Sequence, residues 1–204
     1  AAVAEARAAG FEHINLDGIY GTPGESMSDL DTTLEAVLAT DVDHVSAYSL
    51  IVEPGTAMAR KVRRGELPMP DDDDLADRYE RIDAALSQAG FSWYEVSNWA
   101  KPGGQCRHNM LYWRDGNWWG AGPGAHSHLD GTRFYNVKHP ARYAATISGG
   151  ELPIKDSERL TAEDRHTEKI MLGLRLAEGI DAYLLGENEL GKARRQAEAG
   201  MVEF

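Results

Sequence analysis

The chain has 204 residues, and 33 acidic against 21 basic side chains give it a net charge of −12. That length is ample for a buried core, the acidic balance argues against general nucleic-acid binding, and no apolar run approaches the ~18 residues of a membrane span. Cys106 is the one cysteine, so this chain alone makes no internal disulfide and no zinc or iron–sulfur site from its own cysteines.

Such cysteine usage fits a reducing cytoplasm. The chain opens on Ala1 inside an Ala-rich helical pattern and stops at Met201-Val202-Glu203-Phe204, as expected of a piece of a longer polypeptide. Ala1–Ala9 reads as the end of a helix, with Gly10 in the left-handed position after it. Ile14, Leu16, Ile19 and Tyr20 read as a buried strand, and Gly21-Thr22-Pro23-Gly24 as a turn. Leu30, Leu34, Val37 and Leu38 recur at helical spacing. His44 to Leu50 reads as a second strand, closed by the loop Glu53-Pro54-Gly55-Thr56. The run Asp71–Asp74 starts a helix, because carboxylates favour a helix N-terminus. It lacks the ligand spacing of a calcium loop. Leu75, Tyr79, Ile82 and Leu86 mark the buried stripe of that helix, and Gly90 ends it. Phe91 to Ser97 reads as a third strand. Strands alternating with helices predict an α/β fold with a parallel sheet and ligand sites in the loops after the strands.

Residues 98–150 are Gly-rich and aromatic-rich with little periodicity, and from about residue 157 the pattern is helical again. Thr161-Ala162-Glu163-Asp164 resembles a capping box. Ile170, Met171 and Leu174 then recur at core spacing, Gly179 ends that helix, and Glu187 to Ala199 is a weaker one.

Several residues invite a chemical reading. Asp17 is the one acidic residue of its strand, and burying a carboxylate demands a partner or a ligand. It suits the two hydroxyls of a ribose, or an ion pair with a neighbouring base. The segment Gly21 to Ser26 is a ligand loop or a strand-to-helix turn. All five tryptophans lie between Phe91 and Trp119, around Cys106-Arg107-His108-Asn109-Met110-Leu111-Tyr112-Trp113. Such a window fills a satellite core or meets a planar aromatic ligand, and Cys106 and His108 are both of types that ligate haem iron. The stretch Gly120 to Gly124 lacks the spacing of a dinucleotide fingerprint. His126 and His128 would share a strand face, as a metal pair or as structural histidines.

These stretches occur in a telling order. Asn15-Leu16-Asp17-Gly18-Ile19-Tyr20-Gly21-Thr22-Pro23-Gly24-Glu25 is followed by Ser46-Ala47-Tyr48-Ser49-Leu50, then by Glu53-Pro54-Gly55-Thr56. Tyr94-Glu95-Val96-Ser97-Asn98-Trp99 comes next, then Cys106 to Trp113, then Gly120-Ala121-Gly122-Pro123-Gly124-Ala125-His126-Ser127. Together they resemble the HemW family of radical SAM proteins, haem chaperones long labelled oxygen-independent coproporphyrinogen III oxidase-like. The resemblance covers most of residues 1–180. Its most specific element is the H-N-x-x-Y-W stretch from His108 to Trp113, which separates this family from the coproporphyrinogen dehydrogenases. Thr22, where Leu is more usual, is a mild departure.

The resemblance implies a partial (β/α)6 radical SAM barrel. Residues 1–100 would be its C-terminal half, 101–155 the aromatic and Gly-rich segment, and 156–204 the start of a small helical domain. In that family a C-x3-C-x2-C motif lies before residue 1 of this chain. Its thiolates hold a 4Fe–4S cluster and leave one iron open for S-adenosylmethionine, so the segment alone is expected to run no radical chemistry. Asp17 matches the strand carboxylate at the ribose of S-adenosylmethionine, and Gly21 the loop beside it. Leu50 and Ile51 match the backbone along the adenine. His108, Asn109, Tyr112 and Trp113 match the haem-associated motif, with His108 or Cys106 on the haem iron.

The resemblance further implies that the whole protein binds haem, S-adenosylmethionine and the cluster. It would pass haem to a haem-accepting protein, membrane-associated ones included. The alternative is an enzyme, oxygen-independent oxidative decarboxylation of coproporphyrinogen III in porphyrin biosynthesis. A blander alternative makes the aromatic window plain packing.

Overall fold

A computed structural model describes all 204 residues. The chain divides into two compact units, Ala1–Cys106 and Arg107–Phe204. The first holds α1 (Ala2–Ala8), β1 (Asn15–Tyr20), α2 (Met27–Leu38), β2 (His44–Ser49), α3 (Ala57–Arg63), α4 (Asp72–Gln88), β3 (Ser92–Glu95) and β4 (Asn98–Ala100). Helices α2, α3 and α4 start where side chains cap them. Ser26 accepts from the Asp29 N–H while Asp29 accepts from the Ser26 N–H, closing a capping box on α2. Asp71 accepts from the Asp73 and Asp74 N–H groups at the head of α4, the helix start read from the acidic run. Ser26→Ala is expected to lower the unfolding free energy by about 1 kcal/mol, read as a fall in the urea midpoint by circular dichroism.

The sheet has the order β1-β2-β4-β3 and does not close. β1 and β2 are parallel, with Asp17 beside Ser46 and Ile19 beside Tyr48. One face, carrying Leu16, Val45, Ala47 and Trp99, packs on Leu30 and Leu34 of α2 and Ile82 and Leu86 of α4. The other carries Asn15, Asp17, His44, Ser46 and Asn98.

Two expectations for this unit are corrected. The third strand does not extend a parallel sheet. The chain reverses after Glu95, and β4 pairs antiparallel with both β2 and β3. The reversal carries Trp99 into full burial, where its indole N–H donates to Asp83 of α4 at 2.7 Å. Nor is β1 a buried strand. It lies at the sheet edge, and Asn15, Asp17 and Ile19 are exposed along one face. Helix α3, begun by the Thr56 cap, has no counterpart in the sequence pattern.

The second unit holds α5 (Arg107–Trp113), β5 (His126–Leu129), β6 (Thr132–Asn136), α6 (Pro140–Ser148), β7 (Ile154–Arg159), α7 (Ala162–Gly173) and α8 (Glu187–Glu198), with a 3-10 turn at Ala182–Leu184. The aperiodic region is therefore not irregular. β5, β6 and β7 form an antiparallel sheet, and its first hairpin turns on Asp130-Gly131 with φ of 49° and 78°, the geometry of a type I′ turn. Residues 154–159 are a strand where the sequence pattern suggests the approach to a helix. The Thr161–Asp164 capping box is present on α7, which ends at Gly173 rather than Gly179. A Cβ at Gly173 would lie 2.3 Å from Ile180 Cγ2, so the returning chain packs against the missing side chain. No helix is long and apolar enough to cross a membrane.

Candidate functional site

The first constellation runs from Asp17, in the middle of β1, to the C-terminal ends of β1 and β2. These ends are joined by the Leu50 N–H donating to the Tyr20 carbonyl at 2.8 Å. Gly21 follows β1 with φ of 76°, a conformation that favours glycine, and a Cβ there would lie 2.2 Å from Leu75 Cδ2. Its N–H donates to the Glu25 carboxylate at 2.6 Å. Arg78 of α4 stands 3.4 Å from that carboxylate and donates to the Glu25 carbonyl at 2.8 Å. The loop is thus braced from within, while Ile51 is 69% exposed on the adjoining strand end. The structure brings Asp17, Gly21, Leu50 and Ile51 onto two neighbouring strands and their C-terminal loops.

Asp17 is exposed, contrary to the burial argument for it. Its Oδ1 accepts from Asn15 Nδ2 at 2.6 Å, so an ion pair with a neighbouring base is not what holds it. Behind Asn15 lies a buried polar group. His44 Nδ1 meets Asn15 Oδ1 at 2.7 Å and His44 Nε2 meets the Tyr94 hydroxyl at 2.7 Å. The Cys106 N–H donates to that hydroxyl at 3.2 Å. Glu95 is buried and accepts from Asn98 Nδ2. Motif reading passes over Asn15, His44 and Tyr94. Period-2 alternation points to the first two, since Asn15 and Asp17 share one strand face and His44 and Ser46 the next.

Burial pushes the His44 imidazole below its ordinary pKa, with Asp43 and Asp17 opposing the shift. The unfolded chain then takes up the proton first as pH falls below about 6.5. Stability carried by neutral His44 is present above that pH and lost on acidification through the lower folded value. In His44→Phe the unfolding free energy is expected to fall less steeply with acid, measured by urea unfolding at a series of pH values below 6.5.

The second constellation lies on α5 and the loop after it. His108 and Tyr112 stand one helical turn apart, with the Tyr112 hydroxyl 2.8 Å from His108 Nε2. Tyr112 packs edge-on to Trp118 at 4.7 Å between ring centroids, and Trp118 lies against His128 at 4.9 Å. Trp113 carries the Arg175 guanidinium over its ring at 5.8 Å, and its indole N–H is buried with no acceptor. Asn109 is half-buried on the same helix. The tryptophan window therefore divides. Trp93 and Trp99 belong to the core of the first unit, and Trp113, Trp118 and Trp119 to the second. His128 is buried and its Nδ1 meets the Gly116 carbonyl at 3.0 Å, whereas His126 is exposed and stacks on Tyr135. The two differ in burial and partners, and no three His, Cys, Asp or Glu side chains are grouped to hold a metal ion. Cys106 closes the first unit as a half-buried free thiol.

The chain is similar to known proteins over its whole length. No protein-family model matches the chain. It is 55% identical to the heme chaperone HemW of Mycobacterium tuberculosis over all 204 residues, which is 52% of that protein's length. It is 37% identical to the heme chaperone HemW of Bacillus subtilis over 182 residues, 89% of this chain and 48% of that protein. A mitochondrial radical S-adenosyl methionine domain-containing protein 1 of Danio rerio is 34% identical over 192 residues, 87% of this chain and 42% of the relative. The chain thus spans about half the length of the curated relatives it matches. Among solved structures, the coproporphyrinogen III oxidase of Escherichia coli, a radical SAM enzyme, matches with a TM-score of 0.68 at 22% identity, covering 85% of this chain and 43% of that one. That likeness shows a shared fold and nothing further.

Proposed function

Because this chain belongs, as a segment, to the HemW family of radical SAM proteins, we propose that it contributes to a haem chaperone one wall of an S-adenosylmethionine site and the helix that engages haem. One observation carries the reading, the 55% identity to a named heme chaperone across every residue of the chain. The likeness to the oxidase is at 22% identity and supports the fold only, so the chaperone reading stands ahead of the enzyme one.

The residues of the first constellation fit a nucleoside. Asp17 offers an exposed carboxylate for the ribose hydroxyls, and the Leu50–Ile51 backbone lies at the adjoining strand end for the adenine. Gly21 lets the intervening loop pass close to Leu75 without a side chain. Bound to a 4Fe–4S cluster, S-adenosylmethionine supplies radical chemistry in this superfamily. With Cys106 as its one cysteine, this chain does not supply the three thiolates, which belong to the preceding part of the full-length protein.

The second constellation fits haem as cargo. His108 is exposed on α5 and is the iron ligand in this reading, with Cys106, a half-buried thiol two residues before it, as the rival. Tyr112 occupies Nε2, so His108 offers Nδ1 or exchanges Tyr112 for iron. Trp113 presents a buried donor without an acceptor, and Asn109 belongs to the same surface of the motif. In this reading the barrel half spans 1–100, the haem segment 101–155 and the start of a helical domain 156–204, the last two joined through the sheet of β5, β6 and β7 within one compact unit. The full-length protein works in the cytoplasm and hands haem to a haem-accepting protein, including one at the membrane.

The test is transfer. Full-length protein loaded with haem is mixed with an apo-haemoprotein, and the acceptor spectrum is followed. The same preparation is incubated anaerobically with coproporphyrinogen III. Haem appearing in the acceptor with no decarboxylated product supports the chaperone. Product formation without transfer rejects it in favour of the enzyme.

A further inference from the structure

The polar face of the first unit contains a hydrogen-bonded series with one consistent direction. The Cys106 N–H can only donate, and it donates to the Tyr94 hydroxyl at 3.2 Å. Tyr94 is thereby left to donate its own proton to His44 Nε2, 2.7 Å away. His44, neutral in its buried setting, then carries its proton on Nδ1 and donates to Asn15 Oδ1 at 2.7 Å. With its oxygen so fixed, the Asn15 amide must point its nitrogen at Asp17 Oδ1, 2.6 Å away. Ser46 Oγ accepts from the same nitrogen at 3.1 Å. His44 and Tyr94 are buried at 4% and 8% exposure, whereas Asp17 is at the surface. A buried donor–acceptor series of this kind stays in one arrangement because each unpaired member would be costly.

We infer that His44 and Tyr94 are positioning residues for the nucleoside, which hold the Asp17 carboxylate in one orientation through the Asn15 amide so that its remaining lone pairs meet the ribose hydroxyls. The inference rests on the assignment of Asp17 to the ribose. Without the series, the exposed carboxylate would be free to rotate, and binding would have to order it. Removing one neutral link is expected to weaken nucleoside binding by roughly fivefold, the scale of one net hydrogen bond.

The test is a double-mutant cycle on the full-length protein, reading the Kd for S-adenosylmethionine by equilibrium dialysis. Tyr94→Phe keeps the ring and removes the donor to Nε2. His44→Phe removes the centre of the series, and Asp17→Ala removes its end. The expected result is a roughly fivefold rise in Kd for Tyr94→Phe and for His44→Phe, with no further rise when either is combined with Asp17→Ala. Equal rises with and without Asp17 would mean a structural effect only and would overturn the inference, as would no rise for Tyr94→Phe in a folded protein. If Asp17→Ala alone leaves Kd unchanged, the ribose assignment itself fails and the inference falls with it. Should His44→Phe not fold, the Tyr94→Phe arm decides the matter.

Discussion

Replacing Trp99 with alanine is expected to lower the unfolding free energy of the first unit by about 3–5 kcal/mol, the largest stability effect of any single change considered. Trp99 is fully buried on β4, a strand of three residues. It packs against Tyr79 at 5.4 Å between ring centroids and against the stripe of α4. Truncation would leave a cavity that a rigid sheet and a long helix cannot fill. Its indole N–H also bonds Asp83. Trp99→Phe isolates that bond, since it keeps most of the apolar volume, and should cost about 1 kcal/mol plus a smaller packing loss. Urea unfolding followed by circular dichroism measures both. A Trp99→Ala midpoint equal to wild type would show that β4 is not held by this contact.

Asp17→Ala is expected to raise the Kd of the full-length protein for S-adenosylmethionine by at least roughly tenfold, because a hydrogen bond to a charged group contributes about 1.5–3 kcal/mol. Asp17→Asn separates charge from shape. It keeps a polar group for the hydroxyls and loses the carboxylate, so an intermediate Kd is expected. Equilibrium dialysis reads all three proteins on one scale, and an unchanged Kd in both variants would remove Asp17 from the site.

What the sequence reveals differs between the two units for physical reasons. α2, α4 and α7 carry their start signals in Ser26, Asp71 and Thr161, and the cap geometry follows from those side chains alone. The placement of Gly21 and Leu50 just after strand ends follows from the alternation of strand and helix, whereas Asp17 lies in the middle of β1. The antiparallel return of β4 is hidden, because three residues give no periodicity and the reward for the reversal is a tertiary contact, Trp99 to Asp83. The exposure of Asp17 is hidden too, because a strand at a sheet edge and one inside a sheet share the same apolar alternation. The sheet of the second unit has one local signal, Asp130-Gly131, and the aromatic density around it obscures that turn. The same density suggests one aromatic cluster where the fold makes two.

The proposed engagement of haem by α5 turns on His108. Haem is titrated into the full-length protein and into its His108→Ala variant, with the Soret band as the readout. His108 is exposed on α5, so its removal should leave the fold intact. The expected result is a Soret shift in the wild type that is weakened or lost in His108→Ala at the same haem concentrations. Identical Soret spectra and identical affinity in a variant with an unchanged circular dichroism spectrum would contradict a haem role for His108.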